Sequence, residues 1–435
     1  MAINALAQAA NDTIAADCPV VLDLLSQVGK SLFFPKGILT QSAEAKAKAH
    51  RHNATIGIAT EDGEAMHIDC VHQAYNGLAP DDLYPYAPST GLPALRQAWQ
   101  AKQRGETPSL GEHPISLPVV SNALTHGLSL VGDLFVDPGD EVLMPDMLWG
   151  NYRLTYGVLR HAKLATYTFF NEQLDGFNQA AFDAALAERK GQKIVTILNF
   201  PNNPSGYSPT KAEAAAIVAS LTAAAASGSR IVAICDDAYY GMFFEEACET
   251  ESLFGRLAQA HENLLAVKVD GATKEMFVWG LRVGFVTYGV KNGTAAAYTA
   301  LEQKTGGAVR GGVSNINRPG QTIVLNAVQD PAFRQQQATK VAVLKARANT
   351  VATVCRDPQY QDCWDVYPFN AGYFMCLRLK GADAEATRLR LLDEHGVGTI
   401  SLGATDLRVA FSCVEAADIA DLFDCIAQAV RAEQG

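Results

Sequence analysis

The sequence predicts an α/β protein with a largely parallel sheet in one large domain and a smaller second domain. Between about residue 115 and residue 320, short apolar and β-branched runs alternate with alanine-rich stretches of helical composition. After residue 330 the pattern changes to one long polar helical stretch followed by short strands. A chain of 435 residues with 48% hydrophobic content is long enough to bury two such cores.

Taken in order, the elements begin with an N-terminal segment, residues 1–85, that is irregular by comparison. We expect it to join the C-terminal small domain, residues 326–435, which leaves residues 86–325 as the large domain. Alanine-rich stretches such as KAEAAAIVASLTAAAAS are predicted helices between the strands of the large domain. The long helix RQQQATKVAVLKARANTVATV precedes the C-terminal strands YFMCLRL and LRVAFSC. The strands predicted for the large domain are ISLPVV, DEVLMP, KIVTILNF, RIVAICDDAYY, NLLAVKVDG and LRVGFVTYGV.

Composition excludes several classes of protein. The apolar stretches are short and broken by charge, so no membrane span is predicted. The first twenty residues lack a basic flank and carry two aspartates, which disfavours a signal peptide. The nine cysteines form no C-x-x-C pair and no repeated spacing, which predicts no metal site and indicates a reducing, cytoplasmic setting. A net charge of -11 disfavours a nucleic-acid partner.

Polar residues follow three of the predicted strands, where the chain leaves the sheet. One group is the turn NFPNNPSGYSPT, residues 199–210, in which two prolines lack the N–H that a sheet needs. Asp236 and Asp237 end a second strand, and Lys274 and Arg282 flank the start of another. Each group alone is common in turns and at surfaces. Together they lie where open α/β sheets bind ligands, outside the carboxyl ends of the strands.

The ordered set N-x-P-N-N-P-S-G, D-x-A-Y and a lysine followed by G-x-R-x-G resembles the class I/II pyridoxal-phosphate-dependent aminotransferases of fold type I. The segments LYPYAPSTGLPALRQAW, FVDPGDEVLMPDMLWGNY and LRVAFSC are similar to further motifs of that family. The motifs are closest to those of the aspartate and aromatic aminotransferases. The resemblance implies a mostly parallel seven-stranded sheet between helices, and a smaller α+β domain built from both chain ends.

Pyridoxal 5'-phosphate is the cofactor that the resemblance implies, and its chemistry requires a lysine amine. That amine forms an imine with the cofactor aldehyde and then moves a proton between the substrate α-carbon and the cofactor. Lys274 matches the family lysine. Lys268 lacks the G-x-R-x-G partner, and we expect it at the surface.

The cofactor's ring nitrogen stays protonated only beside a buried carboxylate. Asp236 is the first residue of D-x-A-Y and matches the family aspartate. Asp237 is the rival, but alternation along a strand turns neighbouring side chains to opposite faces, so only one can serve. Tyr239 and Asn203 resemble the pair that hydrogen-bonds the ring's phenolic oxygen.

The phosphate needs backbone amides and a fixed cation. Arg282 matches the family's phosphate-binding arginine, and SNALTHGL places Ala123, Leu124 and Thr125 at the phosphate loop. Tyr86 resembles the tyrosine that reaches the phosphate from the neighbouring subunit.

Two further positions concern the phosphate hydroxyl and the cofactor ring. Family members often have a serine where this chain has Gly271, and Thr273 is the candidate that replaces its hydroxyl. Trp149 matches the aromatic residue that stacks on the ring, with a packed core tryptophan as the alternative.

Substrate recognition is implied at three positions. Arg408, a charged residue among apolar ones in LRVAFSC, matches the arginine that pairs with the substrate α-carboxylate. Gly57 matches a glycine on the opposite side of the substrate. Arg310, in a glycine-rich stretch with Ser314 and Asn315, keeps the R-x-x-x-S-N spacing of an arginine that reads a distal carboxylate across the subunit interface.

The resulting expectation is a homodimeric aminotransferase with shared active sites that moves amino groups between amino acids and 2-oxo acids by a ping-pong mechanism. Aspartate or glutamate, and also aromatic amino acids, are the expected donors. A β-eliminating lyase of the same fold is the first alternative. A ligand-sensing regulator fused to a DNA-binding domain is the second, and the acidic net charge disfavours it.

Overall fold

The computed structural model describes residues 3–34 and 37–435. The N-terminal segment is more helical than the sequence predicts. Two of its helices begin with a side-chain cap: the Asn4 side chain accepts from the amide of Leu6, and the Ser26 side chain accepts from the amide of Gly29. The elements of this segment are α1 (Ala5–Asp17), α2 (Pro19–Leu24), α3 (Gln27–Ser31), α4 (Ile38–Lys48), β1 (His52–Asn53), β2 (Thr60–Glu61), β3 (Glu64–Ala65), α5 (Asp69–Gln73) and α6 (Pro80–Leu83).

The central part of the chain folds around a seven-stranded sheet with the order β4-β10-β9-β8-β7-β5-β6. Only β10 runs antiparallel to its neighbours, so the predicted mostly parallel sheet is confirmed. The edge strand β6 was not among the predicted strands, because only one of its residues is fully buried and it has no continuous apolar run. The elements are α7 (Pro93–Glu106), β4 (Val119–Asn122), α8 (Ala123–Phe135), β5 (Glu141–Pro145), β6 (Lys163–Tyr167), α9 (Gln179–Ala187), β7 (Lys193–Asn199), α10 (Lys211–Ala226), β8 (Arg230–Asp236), α11 (Phe254–Leu257), β9 (Leu264–Gly271), α12 (Ala272–Glu275) and β10 (Val283–Gly289).

The sheet separates two hydrophobic clusters, and β8 contributes to both. Val232 and Ile234 belong to one cluster, whereas Cys235 belongs to the other. This alternation continues past the end of the strand, so Asp236 and Asp237 face opposite sides of the sheet.

The C-terminal part carries a four-stranded antiparallel sheet with the order β11-β12-β15-β14. Its β13 pairs in parallel with β1, which ties the N-terminal segment to this part of the molecule. None of the described helices is both long enough and apolar enough to cross a bilayer. The elements are α13 (Ala295–Gly312), α14 (Arg318–Gln329), α15 (Phe333–Val354), β11 (Trp364–Val366), β12 (Phe374–Leu379), α16 (Ala384–His395), β13 (Val397–Gly398), β14 (Ile400–Leu402), β15 (Asp406–Ala410) and α17 (Ile419–Gln434).

Candidate active site

A cavity of about 330 Å³ lies at the carboxyl ends of β7 and β8, between the large sheet and the antiparallel sheet. It brings together most of the residues that the sequence singles out, whereas Tyr86 and Arg310 lie outside it. Those that line it are Gly57, Ala123, Leu124, Thr125, Trp149, Asn203, Asp236, Tyr239, Lys274, Arg282 and Arg408.

The three asparagines of the turn after β7 make different contacts. Asn199 donates from Nδ2 to the carbonyl of Asp236 at 3.0 Å and accepts from the amide of Asn203 at 2.9 Å. Asn202 donates to the carbonyl of Met147 at 3.0 Å. The first two asparagines therefore hold the turn, and the third presents its side chain to the cavity.

Asp236 is 2% exposed and receives a hydrogen bond from the hydroxyl of Tyr152. Burial raises the pKa of the Asp236 carboxyl to about 6, while Tyr152 and the charge of Lys274 oppose that rise. Sequence reasoning missed Tyr152, although it stands three residues after Trp149 in the segment WGNY. The two rings meet edge to face, with centroids 5.5 Å apart.

Asp237 points away from the cavity and forms a buried ion pair with Lys268. It also accepts from the hydroxyl of Ser252 at 2.6 Å. The expectation that Lys268 lies at the surface is wrong, since this residue is only 2% exposed. Asp237 and Asp270, whose carboxylate lies 3.7 Å from the ammonium, supply the charge that a buried lysine requires.

Lys274 follows β9 in the short helix α12, and its side chain enters the cavity. Burial lowers the pKa of its amine to about 8, with Asp236 opposing this effect and Arg282 adding to it. The Nζ atom lies 5.1 Å from the centre of the Tyr239 ring. A buried amine that loses its proton this readily is suited to nucleophilic and proton-transfer chemistry.

One end of the cavity is lined by groups that suit an anion. Helix α8 begins there with no side-chain acceptor for its first amides, and Arg282 forms no ion pair within the described residues. Ala123, the first residue of α8, has a φ of 60°, a conformation in which glycine is ordinarily favoured.

The hydroxyl of Thr273 is buried at the same end and has no hydrogen-bond partner within the described residues. A serine could not replace Gly271, because a Cβ atom there would lie 2.7 Å from the Cα atom of Gly284. Thr273 is therefore the hydroxyl available to a bound anion at this position.

Arg408 reaches the cavity from β15 and is 1% exposed. It donates to Oδ1 of Asn203 at 3.2 Å and to the carbonyl of Thr55 at 2.7 Å, and its guanidinium lies 4.2 Å from the centre of the Phe374 ring. Its Nε atom has no partner, and no carboxylate pairs with it among the described residues. Gly57, two residues after Thr55, also lines the cavity, and a carboxylate ligand would complete this arginine's bonding.

Tyr86 and Arg310 lie on the same outer surface of the subunit. Tyr86 is 88% exposed, and Arg310, in the last turn of α13, donates to the hydroxyl of Ser314 at 2.6 Å. Asn315 donates to the carbonyl of Ala87 at 2.8 Å, which joins the two segments. The sequence predicted a glycine-rich loop around Arg310, but the chain is helical there as far as residue 312.

Comparison with known proteins agrees with this geometry. A family model described as aminotransferase class I and II matches residues 55–426. The chain belongs to this family. Because the match spans nearly all of the chain, the protein is an aminotransferase, and the implied fold is confirmed.

Individual relatives of this aminotransferase are distant. It is 23% identical over 326 residues to the mitochondrial aspartate aminotransferase of Schizosaccharomyces pombe, covering 73% of this chain and 71% of the relative. It is 28% identical over 176 residues to a probable aspartate/prephenate aminotransferase of Aquifex aeolicus, covering 40% and 42%. The crystal structure of an aminotransferase from Anaerococcus prevotii matches with a TM-score of 0.83 at 21% identity, covering 93% of this chain and 98% of that one.

Proposed function

We propose that this aminotransferase binds pyridoxal 5'-phosphate in the cavity and transfers amino groups between amino acids and 2-oxo acids. The observation that carries the proposal is the convergence of three charged groups on one cavity: the buried Asp236 carboxylate, the buried Arg408 guanidinium and the half-buried Lys274 amine. The orphan hydroxyl of Thr273 and the uncapped start of α8 support a phosphate at the opposite end.

When bound, the cofactor would supply an electron sink for the substrate α-carbon. The Lys274 amine is assigned to holding the cofactor through its aldehyde group. Asp236, held by Tyr152, is assigned to the ring nitrogen, and Tyr239 with Asn203 to the phenolic oxygen. Trp149 is assigned to one face of the ring.

The phosphate is assigned to Arg282, the amides of Leu124 and Thr125, the Thr273 hydroxyl and Ala123, the first residue of α8. An arginine fork and helix N-terminal amides both favour a dianion.

The free Lys274 amine would accept the proton of the substrate α-carbon and return it later in the reaction. Its pKa of about 8 keeps part of the amine neutral near physiological pH, whereas an ordinary lysine is almost fully protonated. Arg408 is assigned to the substrate α-carboxylate, and Gly57 is assigned to the substrate-binding part of the cavity.

We also propose a homodimer in which Tyr86 and Arg310 complete the neighbouring subunit's site. Their shared, exposed surface supports this arrangement, because neither side chain reaches the cavity of its own subunit. In this assignment Tyr86 contacts the phosphate and Arg310 pairs with a distal carboxylate of the substrate.

The proposed substrates are aspartate or glutamate with their oxo acids, together with aromatic donors. The spacing of Arg310, Ser314 and Asn315 supports dicarboxylates, and two relatives carry aspartate in their names. A cytoplasmic setting is part of the proposal, and the absence of disulfides among all nine cysteines supports it.

The role of the lysine is tested by Lys274→Ala, which should abolish turnover and still bind the cofactor. Borohydride reduction of the parent followed by peptide mapping should label Lys274, and a label on another lysine would overturn the assignment. A panel of amino donors with 2-oxoglutarate and oxaloacetate then identifies the substrates. Cofactor that does not return from its amine form with any oxo acid would favour the lyase alternative.

Substrate choice is tested by measuring kcat/KM for aspartate, glutamate, phenylalanine and alanine in the parent and in Arg310→Ala. A lost pair with the distal carboxylate should cost dicarboxylates about 2–5 kcal/mol of transition-state stabilisation and leave alanine unchanged. Lys304→Ala is the matched control, since Lys304 is another exposed basic residue of α13. Equal losses for all four donors would remove Arg310 from the substrate site.

A further inference from the structure

One face of α7 is polar although it is buried behind the active site. Trp99, Lys102, Gln103 and Glu106 recur at helical spacing on this face. Trp99 and Gln103 both donate to the carboxylate of Asp270 on β9, at distances of 3.1–3.2 Å. These hydrogen bonds hold α7 against β9, the strand that leads directly into α12.

Lys102 is the charged centre of this face. Its ammonium lies 2.7 Å from Oε2 of Glu106, pairs with Glu275 and sits 4.6 Å from the centre of the Trp99 ring. The side chains of Lys102 and Glu275 are only 3% and 4% exposed. Burial raises the pKa of the Glu275 carboxyl, and Lys102 opposes that rise. A buried pair of this kind is costly to break, so it constrains the elements that carry it.

Glu275 directly follows Lys274 in α12, a helix of only four residues. Its carboxylate pairs with α7, and its carbonyl accepts from Nε2 of Gln337 on α15 at 2.9 Å. No hydrogen bond or ion pair within the described residues holds the Lys274 amine itself.

We propose that Lys102 is a positioning residue of this aminotransferase: through its ion pair with Glu275 it fixes α12 and so keeps the Lys274 amine directed into the cavity. The inference rests on the proposed function of Lys274. Lys102 is not among the residues that line the cavity, and its ion pair with Glu275 is its contact with α12.

The decisive measurement is made on the cofactor-free protein. Competitive acetylation with acetic anhydride over a range of pH, followed by mass-spectrometric mapping, gives the pKa of the Lys274 amine. In the parent we expect about 8, because the amine is buried. Lys102→Met removes the charge and keeps most of the stem, and Glu275→Gln keeps the shape of its partner. Both variants should raise the pKa towards 10.5, since a loosened α12 exposes the amine to water.

The matched control is Arg96→Met on the same helix. Arg96 is also buried and pairs with Glu302 on α13 at 2.7 Å, but that pair does not reach α12. Arg96→Met should lower the melting temperature as Lys102→Met does and leave the pKa of Lys274 unchanged. In the loaded enzyme, kcat of Lys102→Met should fall on the order of 10–100-fold with a smaller change in KM, as expected for a misplaced reacting group.

An unchanged Lys274 pKa in folded Lys102→Met and Glu275→Gln would overturn the inference, as would an equal shift in Arg96→Met. Failure of the proposed function has a different signature, because borohydride would then leave Lys274 unlabelled in the parent itself. A parent that labels Lys274 and transaminates, combined with variants that keep its pKa, would refute only the role of Lys102.

Discussion

Replacing Asp236 by asparagine should remove most of the activity and stabilise the cofactor-free protein. Burial raises the pKa of this carboxyl from 3.8 to about 6, a difference of about two units. At about 1.4 kcal/mol per unit, its ionisation costs the folded state about 3 kcal/mol at neutral pH. Asparagine carries no charge and avoids this cost, but it cannot hold a ring nitrogen in its protonated form.

The sign of the effect depends on pH. Below pH 3.8 the carboxyl is protonated in both the folded and the unfolded protein, and its contribution is fully favourable. As the pH rises from 3.8 to about 6, only the folded protein retains the proton, so stability is lost across this window. Asp236→Asn should therefore flatten the decline in stability that the parent shows over this range.

Asp237→Asn should destabilise the cofactor-free protein, because it leaves Lys268 buried with only the more distant carboxylate of Asp270. Breaking a buried pair of this kind typically costs about 3–5 kcal/mol. Activity of the loaded enzyme should change much less than in Asp236→Asn, since Asp237 faces away from the cavity.

Urea unfolding of both cofactor-free variants at about pH 5 and about pH 8, together with kcat/KM of the loaded enzymes, measures the two effects. The reasoning fails if Asp236→Asn is destabilised as much as Asp237→Asn at the higher pH. It also fails if Asp237→Asn loses the greater share of activity, because the two side chains would then face the opposite way.

Three further predictions concern the cavity. Arg408→Met should lower kcat/KM for every amino donor, with a loss of transition-state stabilisation of about 2–5 kcal/mol. Arg408→Lys should retain part of the affinity, and steady-state kinetics measure both effects. Thr273→Val should weaken cofactor binding by about 1 kcal/mol without destabilising the cofactor-free protein, as measured by titration and melting, because it removes a buried hydroxyl that lacks a partner. Tyr152→Phe removes the hydrogen bond that lowers the pKa of Asp236. The acid limb of a plot of cofactor affinity against pH should therefore move to higher pH. An unmoved limb would contradict the effect of Tyr152 on the Asp236 pKa.

Many residues of the candidate site can be predicted from the sequence, because they lie at the ends of strands. Period-two alternation along β8 separates Asp236 from Asp237, and the spacing from Lys274 to Arg282 is a local pattern. Local patterns also predicted six of the seven strands of the large sheet. The edge strand β6 and the helices α1–α4 were missed. Strand β6 is defined by its pairing with β5, and α1 and α3 by their capping residues, rather than by apolar periodicity.

By itself, the sequence determined which side chains follow the strands of the large sheet, the lysine motif and the order of the segments that resemble the aminotransferases. Tertiary structure alone decided which polar residues are buried and what they contact. Lys268 is buried because Asp237, distant along the chain, pairs with it across neighbouring strands. Lys102 approaches Glu275 only when α7 packs behind α12. The physical reason is that strand and helix periodicity is a local property, whereas the cost of burying a charge depends on partners that only the folded chain brings together.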